Sequence, residues 1–194
     1  MYAAKDASEL SWSEDRPTTS LTLLMPDGRC PRRVVDVGAG RSTLVDHLLD
    51  LGAERVTLLD LSTEALAHTL RRLDPDRATR VETVVTDVTT WAPTTTWDAW
   101  HDRAVLHFLV DPADRARYVA TASRAVVAGG VAVIGVFAPD GPEQCSGLPV
   151  VRSSVADLEH LFGDGWSLDE SVHHVHTTPW GSEQAFTWVR LHRR

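Results

Sequence analysis

Residues 34–44 read VVDVGAGRSTL and contain the pattern on which the fold depends. A β-branched apolar run reaches Asp36, and a glycine turn follows it. Gly38 and Gly40 let the backbone turn tightly and let a ligand come close to it. Leucines at helical spacing come next. The stretch therefore predicts a buried strand, a ligand-binding turn and a helix.

Strand and helix patterns alternate through most of the chain. Strands are predicted at 32–37, 55–60, 80–87, 97–102 and 129–137, with two more after residue 165 around a turn at 178–181. Helices are predicted at 41–52, after Ser62, from Asp111-Pro112 to about 127, and from the Ser154–Asp157 capping box to 161. Such alternation requires crossover connections and a mainly parallel sheet, whereas the short last connection pairs its strands antiparallel. We expect one doubly wound α/β sheet with helices on both faces.

The composition favours a single soluble globular domain. The 194 residues are 43% hydrophobic and 24% charged, and no apolar run approaches the ~20 residues of a membrane span. A net charge of −8 argues against a general nucleic-acid binder. The N-terminal sequence has no signal-peptide pattern, and the two cysteines are far apart. We therefore expect a reduced, cytoplasmic setting.

Four acids lie at or near predicted strand ends: Asp36, Asp60, Asp87 and Asp102. Asp60 follows Asp36 by 24 residues and suits the two hydroxyls of a ribose, although it also fits a helix cap. Asp87 suits the exocyclic amine of an adenine, with Val88 packed on the ring. The ligand edge of a doubly wound sheet lies at these strand ends. Thr43 replaces the third glycine of a dinucleotide-binding turn, which counts against a nicotinamide dehydrogenase.

The segments VVDVGAGRSTL, VTLLDLS, TDVTTW and WDAWHDRAVLHFL occur in a familiar order and spacing. Over nearly its whole length the chain resembles class I S-adenosylmethionine-dependent methyltransferases. It looks closest to small bacterial members with an LSW segment, a GPEQCSGLPV stretch and a TPWG turn. The resemblance implies a three-layer, Rossmann-like seven-stranded sheet, mostly parallel with an antiparallel last strand. It also implies S-adenosyl-L-methionine as the cofactor and S-adenosyl-L-homocysteine as its product.

The resemblance assigns the cofactor residues in turn. Asp36 is expected near the methionine amino group, Gly38 and Gly40 near the methionine part, Asp60 at the ribose, and Asp87 with Val88 at the adenine. The full cofactor-binding set is Asp36, Gly38, Ala39, Gly40, Asp60, Leu61, Asp87, Val88 and His101. The cofactor has no phosphates, so the incomplete glycine pattern agrees with it.

His101, Asp102 and Arg103 follow the fourth predicted strand and are the candidate catalytic residues. His101 suits a general base, and Arg103 suits an acceptor carboxylate. The alternative is a structural Asp102–Arg103 pair with His101 capping the next helix. Candidate substrate-binding residues are Trp12, His107, Cys145 and Ser146. No metal site is predicted, because no nearby cysteine completes a set with His174 and His176.

These patterns favour a methyltransferase for a small-molecule acceptor with a sulfur, nitrogen or oxygen nucleophile. A protein lysine methyltransferase, with an acceptor mouth around Asp102, Trp100 and Trp12, is the first alternative. A cofactor-binding regulatory subunit without activity is the second. We expect one domain over 1–194, in which residues 1–31 form a helical cap over the site. We expect a monomer or homodimer with no nucleic-acid or membrane partner.

Overall fold

The structure is a computed structural model that describes residues 16–194. Its strands are β1 (Arg33–Val37), β2 (Arg55–Asp60), β3 (Val81–Val85), β4 (Trp97–Arg103), β5 (Val126–Phe137), β6 (Gln144–Cys145), β7 (Leu148–Pro149), β8 (Trp166–Thr177) and β9 (Glu183–Arg193). Its α-helices are α1 (Thr18–Leu24), α2 (Leu44–Asp50), α3 (Thr63–Arg72), α4 (Pro75–Ala78), α5 (Pro112–Ala125) and α6 (Val155–Phe162). Short 3-10 turns occupy Leu106–Phe108 and Gly163–Gly165.

Seven strands form one sheet in the order β3-β2-β1-β4-β5-β9-β8. All neighbours from β3 to β5 are parallel, and β9 runs antiparallel between β5 and β8. The predicted Rossmann-like sheet with an antiparallel last strand is confirmed. The chain adds β2 and then β3 on one side of β1, and it then crosses back to place β4 on the other side. The switch between β1 and β4 opens a crevice at the carboxyl ends of the strands, where ligands bind in such sheets.

Helices cover both faces of this sheet. One core joins α1, α2 and α3 to side chains such as Val34 and Ala99. The other joins α5 and α6 to side chains such as Val35 and Trp100. Because successive strand residues point to opposite faces, even-numbered residues of β1 and odd-numbered residues of β4 share the α1 face. This alternation decides which polar residues reach the crevice.

Several predicted helix ends are confirmed in detail. Ser62 Oγ accepts a hydrogen bond from the Ala65 N–H, and Asp111 caps α5 in the same way. Ser154 and Asp157 form the predicted capping box of α6. Such caps pair backbone N–H groups that have no partner inside the helix. The turn at 178–181 closes the β8–β9 hairpin as predicted.

Several predicted element ends differ from the structure by one to three residues, among them the start of β5, which is Val126 and not residue 129. The helix expected at 41–52 spans Leu44–Asp50, because residues 41–43 still belong to the glycine turn, where Ser42 Oγ accepts from the Leu44 N–H. The strand expected at 80–87 is Val81–Val85, because the chain turns before Asp87.

The described part of the N-terminal segment contains α1. Leu21, Leu23 and Leu24 of this helix are buried in the core, and α1 packs against β4, β5 and β9. Trp12 lies outside the described residues. No helix in the part from residue 16 onward is long and apolar enough to cross a membrane.

Candidate active site

A cavity of about 850 Å³ opens at the carboxyl ends of the parallel strands. Most of the predicted site residues line it, namely Asp36, Gly38, Ala39, Gly40, Asp60, Leu61, Asp87, Val88, His101, Arg103, Cys145 and Ser146. Asp102 and His107 are not among its lining residues. Its volume lies within the range of small-molecule sites. Residues at or just after the ends of β1, β2 and β3 form the first end, and residues of β5, β9 and the β6–β7 hairpin form the second.

The glycine turn forms the floor of the first end. Gly38 and Gly40 have φ angles of +67° and +49°, a region that L side chains rarely adopt. A Cβ atom at Gly38 would also overlap the side chain of Val105. The Gly38 N–H donates to the Leu59 carbonyl at 2.7 Å, which fixes the turn against β2. Glycine is therefore required at residue 38 for both conformation and space.

Asp60 joins this turn to the end of β2. Its Oδ2 accepts from the Gly40 N–H and its Oδ1 from the Ser62 N–H, each at 2.8 Å. The cap of α3 is Ser62, so Asp60 is not itself the N-cap residue. Burial raises the pKa of the Asp60 carboxyl, against these two hydrogen bonds. Each oxygen has a second lone pair, so the carboxylate keeps acceptor capacity for a pair of hydroxyls.

Asp36 and His101 form a buried pair at the bottom of the crevice. The β1–β4 register places them side by side on the α1 face. His101 Nδ1 lies 2.7 Å from Asp36 Oδ1, and His101 Nε2 lies 2.9 Å from Ser20 Oγ of α1. Asp36 Oδ2 is buried and has no hydrogen-bond partner among the described residues. Both ring nitrogens of His101 are therefore engaged, and His101 does not cap a following helix.

Asp87, Val88 and Leu61 line the same end of the cavity. Asp87 Oδ1 accepts from the N–H and the hydroxyl of Thr89, at 2.8 and 2.7 Å. Val88 is buried, whereas the Leu61 side chain is 73% exposed. Two apolar side chains thus accompany a fixed carboxylate, an arrangement suited to a planar polar ring.

Asp102 belongs to the opposite face of the sheet. Its carboxylate accepts from the N–H groups of Val105 and Leu106 at 2.8 and 3.1 Å, and from the Tyr118 hydroxyl at 2.6 Å. Burial raises the pKa of Asp102 to about 6. The expected direct contact with an acceptor is not supported by this position, because strand alternation points Asp102 toward α5. The alternative Asp102–Arg103 pair does not describe these contacts either.

His107 is also away from the cavity. Its ring packs between Phe108 and Phe137, with centroid distances of 4.5 and 4.7 Å. Burial lowers its pKa to about 3, and neither ring nitrogen has a hydrogen-bond partner among the described residues. The predicted substrate contact is not supported, because the side chain is fully enclosed.

The second end of the cavity is mostly apolar. Arg103 lies over the ring of Phe186, with 5.8 Å from its Cζ to the ring centroid. Cys145 is buried, and burial raises the pKa of its thiol. Ser146 carries the tight β6–β7 turn with a φ of +53°. Apolar side chains complete this end, namely Phe108, Leu109, Val110, Phe137, Leu148, Pro149 and Phe186.

Comparisons with known proteins agree with this geometry. A family model described as a methyltransferase domain matches residues 34–130, half of the chain. The chain belongs to this methyltransferase family. It is a class I S-adenosylmethionine-dependent methyltransferase, and S-adenosylmethionine is its methyl donor. No curated protein sequence matches it significantly.

Solved structures share the fold at low sequence identity. N-methyltransferase NodS from Bradyrhizobium japonicum WM9, in complex with S-adenosyl-L-homocysteine, is 15% identical with a TM-score of 0.74, covering 93% of this chain and 89% of that chain. The 1,6-didemethyltoxoflavin-N1-methyltransferase of Burkholderia thailandensis is 22% identical with a TM-score of 0.72, covering 91% and 77%. The glycopeptide N-methyltransferase MtfA, complexed with S-adenosylmethionine, is 16% identical with a TM-score of 0.71, covering 95% and 97%.

The residues of this methyltransferase fit its donor. The unpartnered Asp36 Oδ2 is complementary to an ammonium group, since a buried carboxylate oxygen needs a hydrogen-bond donor. Asp60 retains lone pairs toward the cavity, and Gly38 gives the backbone a close approach. Acidic lining residues lie at this end, which suits a ligand with two positive charges.

Sequence reasoning missed part of the methyltransferase cavity. Ser20 lies 81 residues before His101, and nothing local marks it as a partner of the histidine. The rings of Phe137 and Phe186 pack edge to face with centroids 4.9 Å apart across the β5–β9 pair, which requires the register of two distant strands. Phe108 after β4 and Phe137 at the end of β5 can be assigned to the cavity only when the order of the strands is known.

Proposed function

We propose that this methyltransferase modifies a small-molecule acceptor that carries a sulfur, nitrogen or oxygen nucleophile. The division of the cavity carries the proposal. Among the described lining residues, the acids lie at the first end, called the donor end below, and apolar and aromatic side chains form the second end, called the acceptor end. A small, largely apolar molecule fits the second end, with its nucleophile directed toward the first. The structural neighbour named for 1,6-didemethyltoxoflavin supports a small-molecule acceptor, and the one named for a glycopeptide supports a nitrogen nucleophile.

Each donor contact is proposed from the geometry above. Asp36 Oδ2 accepts from the ammonium group, and Asp60 accepts from the ribose hydroxyls. Asp87 accepts from the adenine amine, with Val88 and Leu61 packed on the ring. Once bound, S-adenosylmethionine supplies a methyl group activated by a sulfonium. The protein orients the acceptor and excludes water, and orientation alone contributes several kcal/mol in such reactions.

The catalytic roles of residues 101–103 are revised in this proposal. Arg103 and its Phe186 contact border the acceptor end, so Arg103 is proposed to orient the acceptor. Both ring nitrogens of His101 are engaged, by Asp36 and by Ser20, so His101 is not proposed as a direct base. Asp102, which points to the α5 face of the sheet, accepts hydrogen bonds from the turn after β4 and has a structural role in this proposal.

Two of the three residues expected at the acceptor mouth of a lysine methyltransferase do not line the cavity, and the third, Trp12, lies outside the described residues. Trp100 and Asp102 are fully buried on the α5 face, and Trp100 Nε1 donates to the Tyr118 hydroxyl. Among the described lining residues, the acids Asp36, Asp60, Glu64 and Asp87 all lie at the donor end. A lysine ammonium would therefore enter an end whose described lining includes the guanidinium of Arg103. The net charge of −8 supports a protein without a nucleic-acid partner, and we further propose a cytoplasmic monomer or homodimer without a membrane partner.

Transfer of labelled methyl groups tests the proposal. The protein is incubated with methyl-labelled S-adenosylmethionine and a cell extract, which is then separated into metabolites and macromolecules. Label among the metabolites, reduced with Asp60→Ala at subsaturating donor, is expected and provides a species to identify. Label confined to protein would favour the lysine methyltransferase instead. Label in neither fraction, with donor binding intact, would contradict an acceptor in the extract and favour a regulatory subunit.

A further inference from the structure

A buried chain of hydrogen bonds connects α1 to the donor end of the cavity. It runs from Ser20 through His101 to Asp36, and each of the three side chains is more than nine-tenths buried. Because an ionised carboxylate only accepts hydrogen bonds, His101 Nδ1 carries a hydrogen toward Asp36. In the neutral imidazole, Nε2 then accepts from the Ser20 hydroxyl. The Asp36 carboxylate fixes the tautomer, and the two contacts together fix the orientation of the ring.

This chain also fixes the direction of the Asp36 carboxylate. Asp36 Oδ1 is taken by His101, and Oδ2 is left without a partner at a residue that lines the cavity. The Trp188 ring of β9 lies 6.2 Å from the imidazole and restricts it further. Without His101, neither Asp36 oxygen would have a hydrogen-bond partner among the described residues, and the contact that fixes the orientation of the carboxylate would be lost. Preorganised acceptors bind charged groups more tightly than mobile ones do.

We propose that Ser20 and His101 are positioning residues that hold Asp36 Oδ2 toward the donor's ammonium group. The inference rests on the donor placement proposed above. Since Ser20 belongs to α1, occupancy of the amino end of the donor site is coupled to the stability of this helix. The adenosine end has no part in the chain, because Asp60 and Asp87 take their hydrogen bonds from other groups.

Two adenosine ligands separate positioning from a general structural role. S-adenosylhomocysteine carries the ammonium group, and 5′-deoxy-5′-methylthioadenosine lacks the whole amino-acid part. Isothermal titration with both ligands compares the parent with His101→Leu, which removes the donor to Asp36. We expect S-adenosylhomocysteine to bind about tenfold more weakly, as loss of one charge-assisted hydrogen bond implies. Methylthioadenosine is expected to bind within about twofold of the parent.

Three further variants define the chain. His101→Asn keeps an N–H near the place of Nδ1 and is expected to restore S-adenosylhomocysteine binding to within about threefold. Ser20→Ala is expected to weaken that ligand about threefold, with no additional effect in the His101→Leu background. Thr22→Ala is the matched control, because Thr22 lies exposed on the same helix. It is expected to change neither affinity.

Hydrogen exchange of α1 gives a readout independent of affinity. In the parent, saturating S-adenosylhomocysteine should slow exchange of the α1 amides more than saturating methylthioadenosine does, and His101→Leu should abolish the difference. Equal weakening of both ligands, or of neither, would overturn the positioning role. If His101→Leu fails to fold, Ser20→Ala with the same ligand pair decides the question. A parent that binds neither ligand would overturn the donor placement itself, which is a separate failure.

Discussion

His107 gives the most direct test of how burial acts in this fold. Its ring is enclosed between Phe108 and Phe137 and has no hydrogen-bond partner among the described residues. Burial lowers the folded-state pKa to about 3, while an unfolded histidine titrates near 6.5. Below about pH 6.5, His107 therefore binds a proton in the unfolded state but not in the folded state. Stability contributed at neutral pH is lost as the pH falls from about 6.5 toward 3.

The magnitude follows from the difference in pKa. Each pH unit below about 6.5 costs about 1.4 kcal/mol, so His107 lowers the free energy of unfolding by about 2 kcal/mol at pH 5 relative to pH 7. His107→Leu removes this loss and the two unpaired nitrogens together. We expect the variant to gain on the order of 1 kcal/mol at pH 7, because a buried unpaired polar group costs about 1–3 kcal/mol. The gain should grow to about 3 kcal/mol at pH 5.

Urea unfolding of parent and variant at several pH values measures this difference. Asp102 titrates in the same range with the opposite sign: its folded pKa of about 6 is raised, so its contribution improves as the pH falls through 6. It is present in both proteins, so comparing them isolates His107. His160→Leu on the exposed side of α6 is the matched control for replacing a histidine by leucine. Equal slopes for parent and His107→Leu would refute the reasoning, as would a raised Kd for S-adenosylhomocysteine.

Three other predictions concern the site and its support. Asp60→Ala should weaken the binding of S-adenosylhomocysteine and of methylthioadenosine alike by about tenfold or more, since both ligands carry the ribose. Unchanged affinity in a titration of the folded variant would contradict the ribose assignment. Gly38→Ala should lower the melting temperature and the affinity for the donor. Adding Val105→Ala should recover only part of the loss, because it removes the overlap with the new Cβ while residue 38 still has a positive φ. Tyr118→Phe should lower the free energy of unfolding in urea by about 1–3 kcal/mol, because the Trp100 N–H loses its acceptor. The Kd for S-adenosylhomocysteine should stay unchanged, and a shifted Kd would contradict a purely structural role for Asp102 and Tyr118.

The sequence predicted the features that depend on local chemistry. The strand before Gly38, the cap at Ser62 and the capping box at Ser154 all follow from interactions within a few residues. Asp36 and Asp60 were placed in the cavity because parallel strands bring their carboxyl ends to one edge. These parts of the fold need no knowledge of distant contacts.

The features that the sequence does not predict depend on distant contacts or on the face of the sheet to which a strand residue points. The pairing of Asp36 with His101 needs the β1–β4 register, and Ser20 joins them from a helix whose orientation has no local signal. His107 looked like a polar residue near the site, yet its ring is enclosed by Phe137 from the next strand. Helical or strand spacing alone does not indicate which neighbour will enclose a side chain.

The segment His101-Asp102-Arg103 shows how one strand end serves two purposes. Alternation directs His101 and Arg103 to the cavity and Asp102 to the α5 face. From there Asp102 fixes the Val105 N–H, and the Val105 side chain fills the space above Gly38. A residue on one face of the sheet thus shapes the donor turn on the other. Because that turn has no spare room, a group that never contacts a ligand still restricts residue 38 to glycine.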